Sequence, residues 1–154
     1  MAGGMGFPCA LGRAGITSRK REGDGATPLA AMRLMEVNIR PGRGLRPSTR
    51  LPRRIVHEDD GWCDDPNDRN YNRPVRLPYP ASHERMMRDD ALYDFCIVLD
   101  WNIAPRRRSG GSAIFLHIAR PAYQPTEGCV AVSKATMRWL LPRVTARTVL
   151  KVVR

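Results

Sequence analysis

Gly111-Ser-Ala-Ile-Phe-Leu-His117 and, after a short loop, Pro125-Thr-Glu-Gly-Cys-Val-Ala-Val-Ser133 decide the reading of this chain. In the first stretch Ala113, Phe115 and His117 alternate with Ile114, Leu116 and Ile118, the period-two pattern of a strand with the histidine on one face. In the second, a Gly-Cys pair stands just before an apolar run. Ser133 is placed to cap a helix in which Met137, Leu140, Leu141 and Val144 follow the i, i+3, i+4, i+7 spacing of a buried stripe. Pro142 is expected to end or bend that helix early.

Outward from this pair, Phe95-Cys-Ile-Val-Leu99 is a continuous apolar run of strand length, suited to a buried central strand. Leu34 to Ile39, Thr148 to Val153 and Phe7-Pro-Cys-Ala-Leu11 read as further strands, the last an edge followed by a charged, Gly-rich loop from Arg19 to Pro28. Arg85 to Leu92 reads as a brief helix with a narrow apolar face. Arg40 to Pro52 has no period and is dense in Arg, Pro and Gly, the composition of an exposed loop, which bounds a flexible stretch at 40–54. Asp59 to Pro80 reads as a long ordered loop anchored by Trp62, Tyr71 and Tyr79. The expected fold is mainly β, a sheet or open barrel curled around the strands of Cys129 and His117, with one or two short helices. Residues 1–154 are expected to form a single domain.

Lys and Arg total 26 against 15 Asp and Glu, a formal charge of +11 that favours anionic partners without choosing among them. The charge is uneven: Arg33 to Arg54 holds seven arginines and one acid, whereas Glu58 to Asp68 holds six acids and no base. Both runs are consistent with solvated loops that offset one another. Aromatic residues cluster in the acidic segment rather than among Lys and Arg, which argues against a nucleic-acid partner. Cys9, Cys63, Cys96 and Cys129 lie far apart with no Cys-x-x-Cys pair, so neither a zinc ribbon nor a disulfide framework is expected. No apolar run is long enough to span a membrane, and no basic region followed by an apolar core marks an export signal.

A thiol attacks as thiolate and needs a base or a positive potential beside it. His117, twelve residues before Cys129, is the nearest base, and adjacent strands would bring the two within reach. Gly128 lets backbone approach closely, and the N–H groups at Gly128 and Cys129 are candidates to hold an oxyanion. The spacing alone leaves open a buried structural cysteine beside a core histidine bonded to a carbonyl.

The same residues resemble the L,D-transpeptidase (YkuD-type) catalytic domain, whose signature is a strand-borne histidine, a spacer, then Ser or Thr, His, Gly and Cys. His117, Thr126, Gly128 and Cys129 match it. Further stretches resemble a compact bacterial branch of that family: Cys9-Ala-Leu-Gly-Arg-Ala-Gly-Ile16, Lys20-Arg-Glu-Gly-Asp-Gly-Ala-Thr-Pro28, Asp60-Gly-Trp-Cys-Asp-Asp65, Tyr71-Asn-Arg-Pro74 and Leu77-Pro-Tyr-Pro-Ala-Ser-His-Glu84. The departures are Glu127 in place of the histidine before Gly-Cys, a shorter spacer after His117, Ala131 in place of a polar residue, and no glycine just after Thr27-Pro28. The chain also starts almost at its first recognisable strand, so a preceding strand or export signal is expected to be missing.

The resemblance implies a two-step acyl transfer on peptidoglycan stem peptides, with Cys129 as nucleophile, His117 as general base and acid, and Gly128 contributing backbone to an oxyanion hole. Asn102, Tyr79 and Thr126 are the candidate substrate contacts; turn capping is the competing role for Asn102, and loop anchoring for Tyr79. No metal or organic cofactor is called for: His57 and Cys63 with nearby aspartates match no standard ligand set, and His57 and His83 are expected to face solvent. The resemblance implies a cell-envelope location. Against it stands a basic binding module for cell-wall polymer or nucleic acid, with a structural Cys129. Thiol reactivity separates them, since an activated Cys129 would alkylate below pH 7 and lose that on His117→Ala.

Overall fold

A computed structural model of the chain describes residues 4–43 and 47–154. The protein is mainly β, as the patterning implied. In chain order the strands are β1 (Cys9–Ala10), β2 (Ile16–Thr17), β3 (Thr27–Pro28), β4 (Ala31–Ile39), β5 (Arg53–Ile55), β6 (Asp60–Cys63), β7 (Arg73–Arg76), β8 (His83–Arg85), β9 (Phe95–Leu99), β10 (Phe115–Ile118), β11 (Val130–Val132) and β12 (Val149–Lys151). A seven-residue helix, α1 (Lys134–Leu140), and a single 3₁₀ turn at Pro121–Tyr123 complete the set.

The principal sheet runs β1-β11-β10-β9-β4-β12, with β5 added alongside β4. Its centre is the apolar run foreseen at Phe95–Leu99, buried along its whole length. β9 pairs antiparallel with β4 on one side and β10 on the other, whereas β10 pairs parallel with β11. Alternation then sorts the side chains. Phe95, Ile97, Leu99, Leu116, Ile118, Val130 and Val132 meet Met137 and Leu141 on the face that α1 covers. Cys96, Val98, Phe115 and, partly buried, Cys129 meet Trp62, Met86 and Tyr93 on the other. Each fully buried large side chain contributes roughly 1.5–3 kcal/mol by leaving water.

α1 follows from its cap. Ser133 Oγ accepts from the Thr136 N–H and donates to Thr136 Oγ1, and the helix stops at Leu140, two residues before Pro142. Lys134 pairs with the buried carboxylate of Asp94, fixing the start of α1 to the entrance of β9.

The segment expected to be one long loop is instead largely sheet. β6 and β7 pair antiparallel and β8 joins β6, giving a second sheet, β7-β6-β8, that contributes Trp62 to the second core face. Acids and prolines hid it from the sequence. Pro74 is tolerated because β7 is an edge, and Asp60 is buried yet bonded by Arg54 at 2.6 Å and Arg76 at 2.9 Å. The arginine and acid runs therefore meet in an ion-paired junction rather than remaining separate solvated loops. The helix expected over Arg85 to Leu92 is also absent, because Met86 turns into the core while Arg88 chelates Asp90 locally. Within Arg19–Pro28, β3 pairs parallel with β2. Of the loop at 40–54, residues 44–46 lie outside the described residues, and its end forms β5.

The cap has a measurable weight. Ser133→Ala is expected to lower unfolding free energy by about 1 kcal/mol in urea titration, with the fold retained.

Candidate active site

The register of β10 and β11 sets the site. Leu116 lies opposite Val130 and His117 opposite Ala131, so Cys129, one position earlier, is level with Phe115. Cys129 and His117 thus occupy the same face of neighbouring parallel strands, one same-face step apart. Together with Thr126 they line one cavity of about 380 Å³.

Three local features hold the cysteine turn. Thr126 is clamped to the N-terminal segment by the Arg13 N–H to its carbonyl (2.8 Å) and by its own N–H to Leu11 O (2.9 Å). Thr126 Oγ1 donates to the Cys129 carbonyl at 2.7 Å and accepts from the Gly128 N–H at 3.2 Å. Gly128 has φ +134°, and a Cβ there would stand 2.9 Å from Ala26 O, so only glycine fits. The sulfur receives the Phe115 N–H at 3.3 Å and donates to Ala113 O at 3.2 Å. Ala113 itself has φ +50° and gives its N–H to Asn72 Oδ1.

His117 is buried, and its Nδ1 lies 2.9 Å from Ile118 O. A carbonyl only accepts, so Nδ1 carries the proton of the neutral ring and Nε2 keeps its lone pair. The Tyr93 ring packs edge-on at 5.3 Å, and Tyr93 in turn donates to Glu84 at 2.9 Å while Arg88 lies over its ring. In the described residues neither Cys129 nor His117 is hydrogen-bonded to the other; both are tied to backbone.

Burial governs the electrostatics. It pushes the Cys129 thiol up to about 12, against the opposing Phe115 N–H and with Glu84 adding to the rise while Lys20 counters it. It also takes His117 down to about 4, the bond to Ile118 O opposing, and Arg88 and Arg120 contributing further. At neutral pH the resting pair is therefore thiol and neutral imidazole. The thiolate expected to react below pH 7 is thus not preformed at rest, because desolvating the sulfur outweighs the groups that favour its charge. Alkylation below pH 7 does not separate an acyltransferase from a structural cysteine here; turnover of a stem peptide does.

The remaining sequence candidates separate clearly. Asn102 does not line the cavity. Its amide donates to the Arg107 and Gly111 carbonyls and its Oδ1 accepts from the Arg107 N–H, which locks the loop before β10. Tyr79 is also away from the cavity, bonded to Asp68 and Asn70. Trp62 donates to Asn72, and Tyr71 to Glu22, so both anchor the fold. Glu127, in the place of the expected histidine, pairs with Arg13 at the surface, and Ala131 is buried opposite His117. His57 is exposed and His83 half-buried. All four cysteines are free, and among the described residues no group of three His, Cys, Asp or Glu side chains could hold a metal. The sequence reading missed Glu22, Asp64, Glu84, Arg88, Tyr93, Ser112 and Arg120 as cavity residues. Glu22, Asp64, Glu84 and Ser112 lay inside stretches already singled out, without a signal that marked them as cavity residues.

Two measurements follow. In a Cys9→Ser background, the log rate of Cys129 alkylation by iodoacetamide is expected to keep rising with pH beyond 9; a plateau below pH 7 would mean a preformed ion pair. Because native His117 sits near 4 against an ordinary 6.5, the unfolded state gains a proton that the native state does not as pH falls through that window. Stability present above pH 6.5 is thus lost towards pH 4, by up to roughly 3 kcal/mol, and His117→Gln should flatten that loss in urea titrations at pH 7 and 4.5.

No curated protein and no solved structure matches the chain. The family model of the L,D-transpeptidase catalytic domain (YkuD) matches residues 3–153, essentially its whole length. With that match on the strands, cysteine turn and cavity described above, the chain belongs to the L,D-transpeptidase catalytic domain family.

Proposed function

We propose that the protein is a cysteine acyltransferase acting on peptidoglycan stem peptides, with Cys129 as nucleophile and His117 as general base and acid. The observation that carries this reading is the placement of both side chains on one face of β10 and β11, lining a common cavity, with the imidazole tautomer set by Ile118 O.

The neutral resting pair shapes the mechanism. A stem peptide entering the cavity presents the carbonyl of the L-to-D peptide bond after its third residue. Nε2 of His117 takes the thiol proton as the sulfur attacks, so the thiolate never has to persist in a desolvated site. The oxyanion forms beside the Cys129 N–H at the Gly128 turn. Collapse expels D-alanine, whose amine takes the proton back from His117, and leaves a thioester on Cys129. The amine of a second stem, or water, then attacks that thioester, and His117 removes the proton from the attacking group. An amine yields a cross-link and water a shortened stem.

Cavity charge supports an amine-bearing substrate. Glu22, Asp64 and Glu84 line it against Arg88 and Arg120, with Glu127 at its rim already paired with Arg13, so the lining carries acids in a chain of net charge +11. The basic exterior suits anionic cell-wall polymer and a cell-envelope location.

Mass spectrometry of a purified disaccharide-tetrapeptide incubated with the protein tests this. A cross-linked dimer, or a tripeptide lacking D-alanine, is expected, abolished by Cys129→Ala and reduced at least about a hundredfold by His117→Ala. Unchanged substrate with folded protein would sink the reading and favour a non-catalytic binding module.

A further inference from the structure

Among the described residues, Lys20 is a cation buried beside the nucleophile turn that the proposed mechanism leaves without a task. Its side chain is only 3% exposed, and its ammonium is bonded to the Asp24 carboxylate. The chain path around it is tight. A Cβ on Gly111 would meet Lys20 Cγ at 2.9 Å and Cε at 3.0 Å, and a Cβ on Gly128 would stand 3.4 Å from Nζ. Gly111 and Gly128 both have positive φ; the Gly111 loop leaves no room for a side chain beside Lys20, and the Gly128 turn, closed on Ala26 O, lies within van der Waals reach of its ammonium. The first loop leads to Ala113, whose carbonyl accepts from the Cys129 thiol, and the second ends at Cys129 itself.

Burying a lysine requires a counter-charge. Asp24 supplies it: burial acts to raise its carboxyl, but bonds from Lys20 and from the Arg21 and Ala26 N–H groups outweigh that and hold it below the usual range. The pair is thus assembled within one short segment, which also carries Ala26 O against Gly128.

We propose that Lys20 is a positioning residue for the nucleophile, its stem packed against Gly111 and its ammonium beside Gly128, so that it supports negative charge as it develops on the Cys129 sulfur. Among the described residues, Glu84 from β8, Tyr93 ahead of β9, Cys96 on β9 and His117 on β10 also face that sulfur, and Asp24 partners the ammonium. Glu84 opposes thiolate formation and Lys20 favours it. Tyr93 and Cys96 stay neutral because burial raises both. Lys20 therefore offsets part of the desolvation that keeps the thiol protonated at rest, and does so through the turn that also presents the Cys129 N–H.

The inference rests on Cys129 being the nucleophile, yet its test does not need a stem peptide. The rate of Cys129 alkylation by iodoacetamide is followed from pH 7 to 9 in the Cys9→Ser background, since Cys9 is exposed and Cys63 and Cys96 are buried, with Cys129→Ala as blank. K20Q keeps a hydrogen bond to Asp24 without the charge, and K20M/D24N removes both charges together. Both are expected to shift the log-rate line by about one pH unit, a tenfold slower reaction at each pH, while K20R stays within about threefold of the parent. Either neutral variant, folded and reacting at the parent rate across the range, would overturn the proposal, as would K20R slowed as much as K20Q. Stem peptide left unprocessed by the parent protein would defeat the acyltransferase reading and leave this result standing.

Discussion

The parallel pairing of β10 and β11 is the constraint on which the site depends. Parallel neighbours cannot be joined by a hairpin, so the chain must leave Ile118, cross over and return to start Val130 in the same direction. That crossover delivers Cys129 to the sheet on the face of His117. A register slip of one residue would send the cysteine into the α1-covered core and the histidine's neighbours to the wrong side. The two faces are already committed, with Leu116, Ile118, Val130 and Val132 on one and Phe115 on the other. Hydrophobic sorting of ordinary core residues thus enforces the position of the reactive ones.

Around this pair the protein faces opposing requirements. A nucleophile must be withdrawn from water to react selectively, and withdrawal raises the cost of its charge. Here burial dominates, leaving a neutral thiol and neutral imidazole, and the surrounding groups adjust that balance. The Phe115 N–H and Lys20 favour charge on sulfur, whereas Glu84 opposes it. His117 is held by Ile118 O and the Tyr93 ring, so its free nitrogen is defined before any substrate arrives. Such an arrangement suits proton transfer coupled to attack more than a standing ion pair.

Much of the architecture was legible in the residues. Alternation at Ala113–Ile118, the apolar run at Phe95–Leu99 and the capped stripe after Ser133 each name an element by a period or a cap that backbone geometry imposes. The sheet β7-β6-β8 was not legible, because its buried Asp60 is compensated by Arg54 and Arg76 from other segments, and an acid in sequence looks solvated until its partner is seen. The helix expected after Arg85 failed for the related reason that Met86 alone was claimed by a distant core.

For the site, the sequence by itself determined the identity of the candidate pair, the need for glycine before the cysteine, and the family resemblance that tied them together. Tertiary structure alone decided their protonation, since a pKa follows from burial and facing charges contributed by β8, β10 and the Lys20–Asp24 segment. It also separated Thr126, which braces the cysteine turn, from Asn102 and Tyr79, whose polar atoms are engaged elsewhere in the fold. Side-chain chemistry is written in order along the chain, but dielectric environment and hydrogen-bond partners come from segments that meet only when it folds.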